Sequence, residues 1–229
     1  MGHRFYLAIV CMFITMAAVA GTTPTIIDKP IDFGKERIKL TQEYRRIHYG
    51  ITSPSIKIKP IMIVLHATET KNWQEAYHTF YPPQITGRPY LTQFGRLNVS
   101  VPYLVAHDGT IYRLMPDNWM GRHVIGLNNM AIGIENAGME EGKYKLTKAQ
   151  VASNAYLIFM LKKKYPSIKY LIGHLEYGRF QNTPLWEEKI KGYFTVKQDP
   201  GPRFMKAVRA KVKELHLKAF YQQFPKFII

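Results

Sequence analysis

Residues 61–66 have the sequence Ile-Met-Ile-Val-Leu-His, an apolar run that ends in a histidine. A continuous apolar run followed by polar residues is typical of a strand that is buried on both faces of a sheet. Residues 131–135, Ala-Ile-Gly-Ile-Glu, and residues 168–172, which precede Gly173-His174, have the same character. Each run therefore predicts a buried strand that carries a polar side chain at its carboxyl end.

The segments around these runs predict the rest of the domain. Residues 103–114 predict a hairpin, because the turn dipeptide Asp108-Gly109 separates two apolar runs. Helices are predicted over residues 70–80, over 147–164, where Thr147 and Gln150 form a capping box, and over the basic amphipathic stretch 204–220. Strands that alternate with helices predict a single α/β domain, with a central mixed β-sheet flanked by helices and a site along the strand ends.

The N-terminus predicts export. Arg4 precedes an apolar run over residues 5–20 that ends in Ala18-Val19-Ala20, which is the pattern of a secretory signal peptide over residues 1–20. A membrane anchor is the alternative, but the run is shorter than the roughly 20 residues that span a bilayer. We therefore expect a periplasmic or secreted protein with no stable membrane span after cleavage. Residues 21–55, which contain several prolines, predict an extended arm, and residues 56–229 the functional domain.

Composition narrows the chemistry and the partners. The only cysteine, Cys11, lies in the predicted signal peptide, so the mature chain has neither a disulfide nor a thiol nucleophile. The net charge of +16 becomes 16 − 1 = +15 when Arg4 is removed. Such a charge favours polyanionic partners. A nucleic-acid binder would explain the charge but not the export, so we expect the anionic cell-wall surface as the partner and no nucleic acid. We also expect a monomer.

Three residues have side chains that can bind a metal ion and stand at defined positions. His66 and His174 each follow a predicted strand, and Asp199 lies in the sequence Lys-Gln-Asp-Pro-Gly-Pro of residues 197–202. Two histidines and a carboxylate, with water in the fourth position, form an open zinc site. From the residues alone the alternatives stay open, because a histidine at a strand end is often a hydrogen-bonded structural residue and Asp before Pro-Gly is an ordinary turn former.

The chain resembles the zinc-dependent N-acetylmuramoyl-L-alanine amidases, which share a fold with phage amidase-type lysozymes and peptidoglycan recognition proteins. Five segments carry the resemblance in the family's order, over about residues 60 to 205: residues 63–68, 103–114, 131–135, 173–174 and 197–202. The resemblance implies a hydrolase that cleaves the amide bond between N-acetylmuramic acid and L-alanine in peptidoglycan or muropeptides. A non-catalytic peptidoglycan-binding or sensing protein of the same fold is the alternative.

The resemblance also implies a role for each site residue. One Zn²⁺ ion is held by His66, His174 and Asp199, and lowers the pKa of its bound water. Glu135 is the catalytic proton acceptor, and Lys197 stabilises the negative oxygen that develops on the carbonyl. An exposed strand residue and a solvated base are the alternatives for Glu135 and Lys197. The presence of Asp199, which non-catalytic relatives lose, favours the enzyme.

The chain departs from the family pattern near the site. His123 matches a position that lines the substrate groove, with structural hydrogen bonding as the alternative. Arg122 stands where relatives have tryptophan, and we expect it to pair with a muropeptide carboxylate. Val101-Pro102 replace a Tyr-His pair of some relatives, which places more weight on Glu135. Residues 175–196 form a long aromatic insertion, either a wall of the groove or a self-packed excursion.

Overall fold

The apolar run at residues 61–66 forms a central strand of a six-stranded sheet. The structure, a computed structural model, describes residues 23–220, so the predicted signal peptide lies outside the described residues. The strands are β1 (Ile26–Asp28), β2 (Met62–Ala67), β3 (Tyr103–Val105), β4 (Ile111–Arg113), β5 (Ala131–Asn136) and β6 (Tyr170–Gly173), in the order β1-β4-β3-β5-β2-β6. All six residues of β2 are buried, as its sequence predicts.

The register of the parallel strands gathers the predicted polar side chains at one edge. Strand β2 pairs in parallel with β5 on one side and with β6 on the other. His66 lies opposite Glu135, and Leu65 lies opposite Gly173, which immediately precedes His174. Because parallel strands end at the same edge of a sheet, the carboxyl ends of β2, β5 and β6 place these side chains side by side.

The predicted hairpin forms and makes the sheet mixed. Strands β3 and β4 are antiparallel, whereas β3 pairs in parallel with β5 and β1 pairs in parallel with β4. The predicted mixed α/β sheet in a single domain is therefore confirmed.

Five helices surround this sheet among the described residues: α1 (Lys35–Tyr49), α2 (Trp73–Phe80), α3 (Pro89–Thr92), α4 (Lys148–Lys164) and α5 (Pro202–Lys211). Helix α4 begins at the predicted capping box of Thr147 and Gln150. Within the described part of the chain, no helix is both long enough and apolar enough to cross a bilayer.

The predicted extended arm is wrong for residues 35–49, which form α1. The buried positions of this helix recur at helical spacing, but they are occupied mainly by polar and aromatic residues: Arg37, Leu40, Thr41, Tyr44, Arg45, His48 and Tyr49. The buried side chain of Arg37 donates to the carbonyl oxygens of Phe80 and Tyr81 at the end of α2. Specific hydrogen bonds therefore bury a helix whose sequence lacks an aliphatic stripe.

The predicted helix over residues 204–220 is also wrong in its second half, because α5 ends at Lys211. His216 adopts the left-handed conformation, with φ of 49°. The chain then reaches the edge of the sheet, where Lys218 accepts from the amide of Leu171 and donates to the carbonyl of Lys169. These edge-strand hydrogen bonds replace those of a continued helix.

Candidate metal centre

Three predicted ligands converge at the carboxyl ends of β2 and β6. His66 Nδ1 lies 3.0 Å from His174 Nδ1, and these two atoms lie 3.5 and 3.2 Å, respectively, from Asp199 Oδ2. All three side chains are at most 13% exposed. The structure thus places three donors at the corners of one small triangle, although 108 and 25 residues separate them along the chain.

The triangle has the dimensions of a tetrahedral zinc site. Zn–N bonds of 2.0–2.1 Å place neighbouring ligand atoms roughly 3.3 Å apart, which is close to the three separations found here. Burial, with the adjacent His174, lowers the pKa of His66 to about 4, so its ring is neutral. Burial would raise the pKa of Asp199, but His174 and His66 together lower it well below its usual range. Two imidazoles, of which that of His66 is neutral, and a carboxylate suit a divalent cation.

Glu135 stands beside this triangle. Its Oε2 lies 3.8 Å from His66 Nδ1, and its side chain is 12% exposed, so it is not a solvated strand residue. Burial and the charge of Asp199 raise the pKa of Glu135 well above its usual range, against the opposing charges of Arg88 and Lys197. A divalent cation held by His66, His174 and Asp199 would lower that pKa again. Glu135 is thus a buried, titratable carboxyl group next to the predicted ligands.

His123 contacts Nε2 of His66, the ring nitrogen that does not face His174. Its Nδ1 lies 2.9 Å from His66 Nε2, and its Nε2 lies 3.3 Å from the carbonyl oxygen of Ala131. Gly133 makes room for the ring, since an added Cβ there would lie 3.0 Å from His123 and 2.7 Å from Val101. His123 therefore makes structural hydrogen bonds and also lines the cavity described below, so its contact with a substrate stays a prediction.

The prediction that Arg122 pairs with a muropeptide carboxylate is wrong. Its guanidinium donates to the carbonyl oxygens of Gly95, Leu97 and Leu91 at 2.6–2.9 Å, and to the hydroxyl of Tyr193 at 2.9 Å. The residue is only 2% exposed. Because backbone carbonyls and a tyrosine occupy its donors, Arg122 holds loops together instead of binding a ligand.

The aromatic insertion is largely packed on itself and on the domain. The ring of Tyr177 stacks on those of Trp186 and Phe194, with centroid distances of 5.9 and 5.1 Å. Trp186 in turn covers Gly126, where an added Cβ would lie 2.7 Å from the indole. Of Tyr177, Phe180, Trp186 and Tyr193, four aromatic residues of the insertion, only Tyr193 lines the cavity. The insertion thus supplies mostly structural packing and a short part of the wall.

A cavity of about 710 Å³ opens over the metal ligands and Glu135. Its walls come from the loop after β2, from α3 and from the end of the insertion, and Lys197, just beyond the insertion, also lines it. The sequence did not predict that Arg88, just before α3, and Tyr90, within α3, also line the cavity. A four-residue helix has no periodicity, and Pro89 at its first position was the only available indication.

The fold and the site define an α/β domain in which two histidines and a carboxylate that could hold a metal ion lie together where parallel strands end. The chain belongs to the N-acetylmuramoyl-L-alanine amidase family, whose model matches residues 57–202.

Several solved structures have a similar fold. The N-acetylmuramoyl-L-alanine amidase LysC from Clostridium intestinale is 25% identical, with a TM-score of 0.52, over 86% of this chain and 100% of that chain. The endolysin amidase LysCS from the same species is 23% identical, with a TM-score of 0.51, over 86% and 98% of the two chains. Drosophila PGRP-LB shares the fold at 14% identity and a TM-score of 0.52, over 88% and 100%. No curated protein matches the sequence significantly.

Proposed function

We propose that this protein is an exported, zinc-dependent amidase that hydrolyses the bond between N-acetylmuramic acid and L-alanine in peptidoglycan or muropeptides. The observation that carries the proposal is the triangle of His66, His174 and Asp199 donor atoms, 3.0–3.5 Å on each side, with the Glu135 carboxylate beside it. Family membership supports the reaction, and the pattern of residues 1–20 supports export to the periplasm or the medium.

Different residues of the cavity carry out different steps of the proposed hydrolysis. When bound, a zinc ion supplies a Lewis acid and lowers the pKa of water towards about 7. The Glu135 carboxylate takes the proton of the attacking water and delivers it to the departing amine of L-alanine. Lys197 lines the same cavity, and its positive charge lowers the pKa of Glu135. The Lys197 ammonium donates to the carbonyl oxygen as negative charge develops there.

A hydrolase fits these residues better than a non-catalytic peptidoglycan-binding protein. Binding alone requires neither a third ligand in Asp199 nor a buried carboxylate beside the ligands. In this chain both are present and close together, with His66 Nδ1 lying 3.5 Å from Asp199 Oδ2 and 3.8 Å from Glu135 Oε2.

The test combines metal analysis with digestion of purified sacculi. We expect the wild type to contain one zinc ion per chain and to release stem peptides that begin with L-alanine, identified by mass spectrometry. Glu135→Gln should retain the zinc and lose turnover by about 10²-fold or more. Glu43→Gln, which changes an exposed glutamate of α1, is the matched control and should behave as wild type. Zinc-loaded wild type that binds sacculi without releasing peptides would establish the binding alternative instead.

A further inference from the structure

The cavity contains two arginines, and only one has donors available to a ligand. The donors of Arg122 are taken up by backbone carbonyls and by Tyr193. Arg88, the residue immediately before α3, is exposed at the wall of the cavity, and its side chain makes no hydrogen bond or ion pair with another described residue. Its guanidinium, which offers five N–H donors in a planar fork, is therefore free to bind an anion from the cavity.

The backbone that carries Arg88 is nevertheless held in place. Its carbonyl oxygen accepts from the amide and the hydroxyl of Thr92, at 3.1 and 3.0 Å. The hydroxyl of Tyr90 donates to the carbonyl oxygens of Gly192 and Phe194 in the insertion, at 3.2 and 3.0 Å. A fixed backbone with a free guanidinium is the arrangement expected of a recognition residue, because less entropy is lost when the ligand binds.

Arg88 also lies on the reacting side of the cavity. It lines the same space as Glu135 and Lys197. A group bound by Arg88 thus lies near the bond that Glu135 serves. In the proposed substrate the lactyl carboxyl group is part of the scissile amide, so a carboxylate that Arg88 binds belongs to the peptide side.

The stem peptide of the proposed substrate contains such an anion one residue beyond L-alanine. Its second residue, D-glutamate, is linked through the side-chain carboxyl group, which leaves the α-carboxylate free unless it is amidated to D-isoglutamine. Arginine binds a carboxylate through two parallel, charge-assisted hydrogen bonds, which the neutral amide cannot reproduce. An arginine therefore distinguishes the acid from the amide by charge and hydrogen bonding, and not merely by size.

We propose that Arg88 binds the free α-carboxylate of the second stem residue, and that the protein thereby prefers D-isoglutamate stems to D-isoglutamine stems. This inference rests on the proposed function for its choice of ligand. It transfers to Arg88 the carboxylate contact that sequence reasoning assigned to Arg122.

Equilibrium binding tests the inference without turnover. The ligands are N-acetylmuramoyl-L-alanyl-D-isoglutamate and its D-isoglutamine counterpart, titrated calorimetrically into zinc-loaded Glu135→Ala protein. We expect the acid to bind about tenfold more tightly than the amide. Adding Arg88→Ala should remove the preference, and adding Arg88→Lys should leave part of it, since lysine keeps the charge and loses the fork. Arg96→Ala, at an exposed arginine outside the cavity, is the control and should keep the full preference.

The outcomes separate the two proposals. Equal affinity for acid and amide, a preference that survives Arg88→Ala, or absence of binding by both ligands would overturn the role of Arg88. Cleavage of both ligands by the wild type, measured separately, would in those cases leave the proposed function standing. A clear preference in binding with no cleavage by the wild type would overturn the proposed amidase reaction and support the carboxylate contact.

Discussion

His123 places its Nδ1 2.9 Å from Nε2 of His66, on the side of the ring opposite the atom that faces His174 and Asp199. If Nδ1 of His66 binds a metal ion, Nε2 carries the proton and donates it to His123. His123 then carries its own proton on Nε2, directed at the carbonyl oxygen of Ala131 at 3.3 Å. This chain of hydrogen bonds fixes both the tautomer and the orientation of His66, as partners of metal-bound histidines do.

Removal of this acceptor should weaken the metal site without removing a ligand. We expect His123→Ala to lower zinc affinity by about 10–100-fold, measured by competition with a chromophoric chelator. His123→Asn should recover much of the loss, because the asparagine Oδ1 can accept near the position of Nδ1. His78→Ala, in helix α2 and outside the cavity, is the control. Wild-type affinity in His123→Ala would show that His66 needs no such partner.

Gly133 is expected to be intolerant of even a methyl group. A Cβ at this position would lie 2.7 Å from Val101 Cγ1 and 3.0 Å from the His123 ring. Gly133→Ala should therefore displace His123 and lower the free energy of unfolding by about 1–3 kcal/mol. Urea denaturation and the zinc competition assay measure the two effects. Gly34→Ala is the control, since its added Cβ meets only an exposed aspartate side chain, and unchanged stability and affinity in Gly133→Ala would contradict the packing argument.

The sequence predicted the central sheet because burial on both faces leaves a continuous apolar run, as in residues 61–66 and 131–135. The sequence did not predict the N-terminal helix α1, because its buried positions are mainly polar and aromatic. Its buried stripe contains arginine, tyrosine and histidine, with Leu40 as its one aliphatic residue, so no aliphatic stripe marks the helix. What stabilises α1 is specific bonding, such as that of Arg37 to the end of α2, which only the folded chain reveals.

The site was predictable to a different degree for each residue. The pairing of His66 with Glu135 follows from strand positions in parallel neighbours, and Asp199 was identified by its match to a family segment. The sequence could not predict Arg88 as a residue of the cavity, because a short helix and a loop contact place it there. Arg122 was misassigned because its burial depends on three carbonyls from residues 91–97, which no local pattern encodes.

Zinc should stabilise the folded protein through Asp199. At a free concentration of about 1,000 times the dissociation constant, a ligand adds roughly 4 kcal/mol, which corresponds to a rise in Tm of about 8–16 °C for a domain of this size. We expect this rise for metal-free wild type titrated with zinc, and its near loss in Asp199→Ala. Asp28→Ala removes a surface carboxylate paired with Arg113 and should keep the rise. An equal rise in all three proteins would place the stabilising ion elsewhere.

The insertion should be held on the domain by His48 and Glu188. His48 Nδ1 lies 2.8 Å from Glu188 Oε1, both side chains are at most 2% exposed, and His48 Nε2 lies 2.9 Å from the carbonyl oxygen of Phe94. Glu188→Ala leaves Nδ1 of the buried His48 imidazole without its partner and should cost about 3 kcal/mol in urea denaturation. The double variant His48→Phe/Glu188→Leu should lose less, because neither side chain of the pair remains to face a missing partner. An exposed-site control, Glu214→Ala, should change little, and equal losses in all three variants would argue against the pair.

The net charge of +16 should matter for the intact wall more than for a small substrate. Attraction to an extended polyanion acts over many charges at a distance, whereas a muropeptide in the cavity meets only nearby groups. Between about 0.05 and 0.5 M salt the Debye length falls from roughly 14 to 4 Å, which screens the distant charges first. We therefore expect the rate on sacculi to fall several-fold across this range while the rate on a soluble muropeptide changes less, both followed by release of the L-alanine amine. Because the same enzyme preparation serves both substrates, a parallel decline of the two rates would mean that salt acts on the site itself and that the surface charge does not recruit the protein to the wall.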